Sequence, residues 1–167
     1  MDNLYLIGAI GKNNELGYNN DLIWRIKEDL NFFKEQTMGN YIIMGRNTYL
    51  SMPKNLKGRK YIILTSNKNI VYDNAMVFNN KESLLDFINS NQDLIFYVIG
   101  GSKIYNLLID EVNILYLTEI DDSFKDATVY FPLFDKDNYD ITIGDLKKEN
   151  GISYRHNKYV RKKVKYE

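Results

Sequence analysis

The chain alternates short apolar runs with stretches of helical periodicity. Runs at Leu4–Ile10, Tyr41–Met44, Lys60–Thr65, Met76–Phe78, Leu94–Ile99 and Asn113–Ile120 have the length and β-branched or aromatic content of strands. Two more strands are expected at Tyr139–Leu146 and Ser153–Lys162, with Asn150-Gly151 marking the hairpin between them. Apolar residues at helical spacing predict helices over Lys27–Thr37, Asn47–Ser51, Lys81–Asn89 and Ser102–Ile109. Strands alternating with short helices imply crossover helices and mostly parallel pairing. The predicted architecture is therefore α/β: a mostly parallel eight-stranded sheet with an antiparallel C-terminal hairpin edge, flanked by about four helices.

A length of 167 residues predicts one domain, spanning 1–167, with room for a core and a cleft. Lys plus Arg and Asp plus Glu number 22 each, so no net field draws the chain to nucleic acid or membrane. An anion site must be built locally. The absence of cysteine excludes disulfides and thiolate metal sites, and one histidine cannot form a cluster, so no metal site is expected. Asp2, Lys12 and Glu15 interrupt the first 20 residues, which argues against a leader or membrane span and for a reducing, cytoplasmic setting. The basic run Arg161-Lys162-Lys163 reads as a solvated tail, and His156, in the closing hairpin, as a surface residue.

One carboxylate breaks the polar–apolar pattern. In the helix beginning at Lys27, the apolar stripe is Ile26, Leu30, Phe33 and Thr37, and Asp29 falls inside it. A carboxylate buried there is costly unless bonded, and burial raises its pKa toward that of a useful proton donor. Two plainer roles remain open: Asp29 can favour the helix start, or pair with Arg25.

Three strand ends carry residues suited to phosphate. Gly45-Arg46-Asn47-Thr48 follows one strand, Thr65-Ser66 closes the next, and Gly100-Gly101-Ser102-Lys103 precedes a helix. Glycine permits close approach, and a helix start offers free N–H groups. Each signal is weak alone, but together they suggest a dinucleotide, although GxGxxG is absent. Arg46, Ser66 and Lys103 can surround a 2′-phosphate, which favours NADPH over NADH.

These segments stand in an order that resembles the dihydrofolate reductase family. The likeness runs from Leu4 to Lys162 through Ile7-Gly8-Ala9-Ile10, Leu16-Gly17-Tyr18-Asn19-Asn20-Asp21-Leu22-Ile23-Trp24, and Glu28-Asp29-Leu30-Asn31-Phe32-Phe33-Lys34. It continues through Ile43-Met44-Gly45-Arg46-Asn47-Thr48-Tyr49, Leu56-Lys57-Gly58-Arg59-Lys60, Val98-Ile99-Gly100-Gly101-Ser102-Lys103-Ile104-Tyr105, and Leu115-Tyr116-Leu117-Thr118.

The resemblance implies hydride transfer from NADPH to C6 of dihydrofolate, with protonation at N5. It makes Asp29 the catalytic carboxylate that binds the pterin, with Thr118 as its partner. Ile7, Gly8, Leu30, Phe33, Met52, Leu56 and Ile99 line the substrate site, and Arg59 grips the glutamate carboxylate. Cofactor contacts fall on Ala9, Ile10, Leu16, Gly17, Asn20, Asp21 and Leu22, on Gly45, Arg46, Asn47 and Thr48, and on Leu64, Thr65 and Ser66. The last group is Ile99, Gly100, Gly101, Ser102, Lys103, Ile104 and Tyr105, with a cis Gly100-Gly101 bond and Tyr105 flanking the nicotinamide. Leu16 to Trp24 matches a mobile closing loop. A monomer inhibited by antifolates such as trimethoprim or methotrexate is also implied. The sequence departs from the family pattern at Ile23, where proline is usual, at Lys27-Glu28, and at Gly8, where alanine is common. Two other readings stand beside this one: a related reductase of a ribosylated pyrimidine, and a non-catalytic nucleotide-binding module.

Overall fold

The structure, a computed structural model, describes residues 1–18, 21–52 and 56–163. In chain order its strands are β1 (Leu4–Ile10), β2 (Glu15–Tyr18), β3 (Asp21–Leu22), β4 (Tyr41–Met44), β5 (Lys60–Leu64), β6 (Ala75–Phe78) and β7 (Phe96–Gly100). β8 (Ile114–Ile120), β9 (Val129–Tyr130), β10 (Tyr139–Thr142), β11 (Lys147–Glu149) and β12 (Ile152–Arg161) follow. The α-helices are α1 (Lys27–Thr37), α2 (Arg46–Ser51), α3 (Lys81–Asn89) and α4 (Ser102–Leu108).

Eight strands lie in the order β10-β12-β8-β1-β7-β4-β5-β6, and β11 adds to the side of β12. Pairings from β8 through β1, β7, β4 and β5 to β6 are parallel, while β12 runs antiparallel to β8 and β10. The expected mostly parallel sheet with an antiparallel C-terminal edge is present.

The inner strands are apolar on both faces because both faces are covered. Their period of two divides the core. Leu4, Leu6, Ile43, Ile62, Phe96 and Val98 point to one side, where Leu84 and Ile88 of α3 and Ile104 and Leu108 of α4 pack on them. Ile7, Ile42, Met44, Ile63 and Tyr97 point to the other, against Phe32 and Phe33 of α1 and Tyr49 of α2. Full burial of one such Leu, Ile or Phe contributes about 1.5–3 kcal/mol.

Helix α1 is capped from a distance. Its own N-cap position, Ile26, supplies no side-chain bond. Instead Glu149 accepts from the backbone N–H groups of Lys27 at 2.6 Å and Glu28 at 3.1 Å. An anion is favoured at that end of a helix. Glu149 is held there by the tight turn at Asn150 (φ 52°) and Gly151 (φ 80°), which joins β11 to β12. This remote cap ties the start of α1 to the C-terminal hairpin.

The expected strand Tyr139–Leu146 is interrupted between β10 and β11. A Cβ on Gly144 would collide with the carbonyl oxygen of His156, so the chain crosses unusually close to β12 here. The Gly144 N–H is taken by Asn157 Oδ1 at 2.9 Å, and its carbonyl by Arg155 at 2.8 Å. Side chains thus replace the ladder across the break.

The segment expected to be a mobile loop contributes β2 and β3 to a small second sheet, in the order β3-β2-β9. Its pinning extends beyond that sheet. Lys12 N–H donates to the Asp122 carbonyl at 2.9 Å and Phe131 N–H to the Asn14 carbonyl at 2.7 Å. Buried Glu15 accepts from Asn13 N–H at 2.7 Å and Phe124 N–H at 2.6 Å. Among the described residues no helix is long and apolar enough to cross a membrane.

Candidate active site

Strand polarity sets the position of the site. β1, β8, β7, β4 and β5 run parallel, so their carboxyl ends emerge along one border, where open α/β sheets bind ligands. Ile7, Phe33, Met52, Leu56 and Ile99 belong to one apolar cluster on the α1 side of that border. Leu30, the remaining apolar position of the expected stripe, is 51% exposed, because the sheet underlies the Ile26 and Phe33 side of the helix.

Asp29 stands at the edge of this apolar surface with its side chain 24% exposed. The Thr118 hydroxyl, from β8, lies 2.5 Å from Asp29 Oδ1. Burial pushes the Asp29 pKa above its ordinary value. The Thr118 bond and the His156 ring offset part of this, whereas the nearby Glu28 and Glu149 carboxylates add to it. The result is a carboxyl that keeps its proton to higher pH than an exposed aspartate.

His156 corrects the surface reading. Its side chain is 12% exposed and stacks on Phe32 with ring centroids 4.0 Å apart. Nδ1 is 2.8 Å from Thr118 Oγ1, and Nε2 is 2.7 Å from Glu28 Oε2. The β8–β12 register places His156 directly opposite Thr118, a non-local pairing that the hairpin sequence does not reveal. Glu28 also receives the Tyr154 hydroxyl at 3.0 Å and Lys147 at 3.0 Å. Desolvation raises the Glu28 pKa, but bonds from His156, Lys147 and Tyr154 outweigh it and hold the carboxyl below its ordinary value. Burial, with the same carboxylate adding to it, pushes the Tyr154 hydroxyl up to about 12.

At the far end of α1, Arg59 is fixed by three oxygens. Its Nε donates to Thr37 Oγ1 at 3.2 Å, and its other nitrogens reach the carbonyls of Lys57 at 2.6 Å and Lys34. The guanidinium is thus held at the C-terminal end of α1, with two of its five N–H groups left for a further acceptor.

The three candidate phosphate segments close the ends of adjacent strands β7, β4 and β5. Gly45 N–H donates to the Gly100 carbonyl at 3.0 Å, which joins two of them directly. Gly45 and Gly101 stand at the N-caps of α2 and α4 without a side-chain cap, so no side chain from the cap position covers the first-turn N–H groups. The Gly100-Gly101 peptide bond is cis, with φ 127° at Gly100, and a Cβ on Gly101 would meet Thr48 Oγ1 at 3.6 Å. These uncapped helix starts and bare glycine backbones fit the phosphates of a dinucleotide. Thr65, Ser66, Arg46, Asn47 and Lys103 lie on this border, with Arg46 Nε donating to the Tyr72 hydroxyl at 3.3 Å.

Other expected contacts are placed differently. The Ser102 hydroxyl donates to the Tyr130 carbonyl at 2.8 Å, so it fastens β9 to α4. Tyr105 is 4% exposed and lies beneath the site; its hydroxyl is 2.8 Å from the carbonyls of both Ile7 and Ile99. Ile10, Leu64 and Ile104 bury their side chains in the core and offer mainly backbone. Leu16 and Gly17 are in β2, and Asp21 and Leu22 form β3. Gly8 and Ala9 are half-buried in β1, and Asn20 lies outside the described residues. Trp24 Nε1 donates to Asp122 Oδ2 at 3.0 Å.

A family model described as dihydrofolate reductase matches residues 3–161. The chain belongs to the dihydrofolate reductase family. It is similar to the dihydrofolate reductase of Bacillus subtilis (strain 168), with 32% identity over 161 residues, 96% of this chain and 92% of the relative. The Enterococcus faecium dihydrofolate reductase is 36% identical over 154 residues, 90% of this chain and 88% of that protein. The dihydrofolate reductase of Buchnera aphidicola subsp. Acyrthosiphon pisum is 40% identical over 132 residues, covering 78% and 79% respectively.

Glu28 and His156 are the site residues that sequence reasoning missed. The one available signal was Glu28 itself, a charged residue beside Asp29 at a step the family pattern leaves uncharged. Without the register of β12 it had no partner.

Proposed function

We propose that this chain reduces 7,8-dihydrofolate to 5,6,7,8-tetrahydrofolate with NADPH, and that Asp29 is its catalytic carboxylate. The observation that carries this is the half-buried Asp29 carboxyl, bonded to Thr118 and set beside the apolar cluster of Ile7, Phe33, Met52, Leu56 and Ile99. A cleft of that composition suits a flat heterocycle with N–H donors at one edge. When bound, NADPH supplies the hydride that C6 accepts.

The chain's own residues bind, orient and hold the proton. Asp29 receives the pterin N3 and 2-amino donors and, with its raised pKa, is the group that makes a proton available toward N5. Thr118 fixes which carboxyl oxygen faces the ring. Arg59 takes the glutamate α-carboxylate, and Leu30, exposed at the cleft edge, closes on the benzoyl portion. The backbones of Gly45 to Thr48, Thr65-Ser66 and Gly100 to Lys103 hold the pyrophosphate and ribose, and Arg46 with Ser66 favours a 2′-phosphate. We also read the protein as a monomer acting in a reducing cytoplasm, open to antifolates such as trimethoprim or methotrexate at the Asp29 pocket.

The test is a spectrophotometric assay of purified protein. NADPH absorbance should fall only when dihydrofolate is added, NADH should serve at least tenfold less well, and Asp29→Asn should lose most hydride transfer while still binding NADPH. Equal turnover by Asp29→Asn at neutral pH would overturn the assignment of Asp29. Consumption of a ribosylated pyrimidine in place of dihydrofolate would overturn the substrate.

A further inference from the structure

A chain of side chains leads from Asp29 toward solvent. Thr118 Oγ1 is 2.5 Å from Asp29 Oδ1 and 2.8 Å from His156 Nδ1. Nδ1 is itself 3.6 Å from Asp29 Oδ1. On the other side of the ring, Nε2 is 2.7 and 3.1 Å from the two oxygens of Glu28, whose side chain is 36% exposed. The ring cannot easily turn: Phe32 stacks on its face at 13° and Tyr154 meets it edge-on at 73°.

We propose that His156, clamped by Glu28, is a positioning residue for Asp29 that shares its proton with the Asp29 carboxyl through the Thr118 hydroxyl. This rests on the reading of Asp29 as the site carboxylate.

Donor and acceptor bookkeeping allows two arrangements with the same number of protons. In the first, Asp29 is ionised and accepts the Thr118 O–H, Thr118 accepts Nδ1–H from the imidazolium, and Nε2–H donates to Glu28. In the second, Asp29 is protonated and donates to Thr118, which donates to Nδ1 of the neutral ring, and Nε2–H still donates to Glu28. Passing between them breaks the Nδ1–H bond and the Thr118 O–H bond. It forms a new Thr118 O–H and an Asp29 O–H. No proton or charge is lost, and the heavy atoms stay where they are. The shared proton that Asp29 yields toward the substrate is drawn from His156 Nδ1 through Thr118 and is regained by the reverse route through Asp29, while the ring keeps its Nε2–H on Glu28.

Charged groups from several elements surround the ring. Glu28 and Asp29 face the ring from α1, Lys147 and Glu149 lie against that helix start from β11, and Tyr154 comes from the same strand as His156. Thr118, from β8, is neutral. A purely structural role, with Glu28 only pinning the hairpin to α1, would leave the pH profile of hydride transfer unchanged when the ring nitrogens are replaced.

His156 is the sole histidine in the chain, so its ring nitrogens give unambiguous 15N resonances. In the intact protein the Nε2 proton should persist across the titration while Nδ1 gains and loses its own. In Asp29→Asn, which cannot accept the proton, the His156 midpoint should move to lower pH. Single-turnover hydride transfer should show two coupled ionisations in the wild type. His156→Phe keeps the stack on Phe32 without the nitrogens; it should show one ionisation and roughly tenfold slower transfer at neutral pH, with dihydrofolate affinity changed less. His156→Gln, which retains hydrogen bonding but does not titrate, should behave alike and guards against a folding defect in the first variant. An unmoved His156 midpoint in Asp29→Asn, or a wild-type pH profile in both His156 variants, overturns the proposal. Loss of hydride transfer in Asp29→Asn together with an unmoved His156 midpoint would remove this inference alone and leave the role of Asp29 standing.

Discussion

The Thr118 hydroxyl reaches Asp29 Oδ1 at 2.5 Å across 89 positions of sequence, and through it strand β8 fixes the orientation of a carboxyl group on the α1 side of the cleft. Removing that donor while keeping its shape isolates the bond. The bond holds the Asp29 pKa down against desolvation, so Thr118→Val should push it further up. The pH dependence of hydride transfer should then shift to higher pH. A hydrogen bond to a charged group is worth about 1.5–3 kcal/mol, so kcat/KM for dihydrofolate should fall about 10- to 100-fold, measured in single-turnover and steady-state assays across pH.

Asp29 should cost stability at neutral pH. Its folded pKa is raised, so between the ordinary aspartate value and the raised one the folded chain binds more protons than the unfolded chain. Stability from this group is complete below about pH 3.9 and falls as pH rises through that window. Asp29→Asn should therefore raise Tm at pH 7 by about 2–4 °C, a gain on the order of 1 kcal/mol for a chain of this size, and the difference should close on acidification. Glu28 has the opposite sign: its lowered pKa gives stability present above the ordinary glutamate value and lost as pH falls below it. Glu28→Gln should lower Tm at neutral pH and converge with the wild type in acid. Calorimetry from pH 3 to 8 checks both.

Gly8 and Tyr105 should be energetically coupled. A Cβ at residue 8 would sit 2.9 Å from the Tyr105 hydroxyl, which is wedged between the carbonyls of Ile7 and Ile99. Gly8→Ala should destabilise by about 1–3 kcal/mol through overpacking. Tyr105→Phe removes the obstructing oxygen, so the double variant should lose less than the sum of the two single losses in a denaturant-melt cycle.

Arg59→Lys should separate binding from chemistry. Lysine cannot hold the three oxygens around Arg59 and also present a fork to a carboxylate. KM for dihydrofolate should rise about tenfold, while kcat stays within about twofold, because the contact is the same in the ground and transition states. Truncated substrate lacking the glutamate should respond equally to both proteins.

Much of this was legible because it is local. The limits of β1, β4, α1 and α3 match their apolar periodicity residue for residue, since a strand or helix that packs on one core must repeat its pattern along its own length. The three glycine and hydroxyl segments follow strands, so chain polarity alone sent them to one border. The Asn150-Gly151 turn announced its hairpin through the positive φ that those residues tolerate. Asp29 stood out as a charge within a helical stripe.

What the tertiary structure decided is everything that depends on the register between strands distant in sequence and on the azimuth of a packed helix. The break between β10 and β11 comes from a backbone crossing at Gly144, and the exposure of Leu30 from the angle at which α1 meets the sheet. The Ser102 hydroxyl was available for a ligand until β9 arrived to claim it. Above all, His156 is a surface residue by its hairpin and a partner of Thr118 by its pairing. A sequence states which side chains one element places on a face; which face meets which is settled only when all elements minimise their exposed apolar area and unpaired polar groups together.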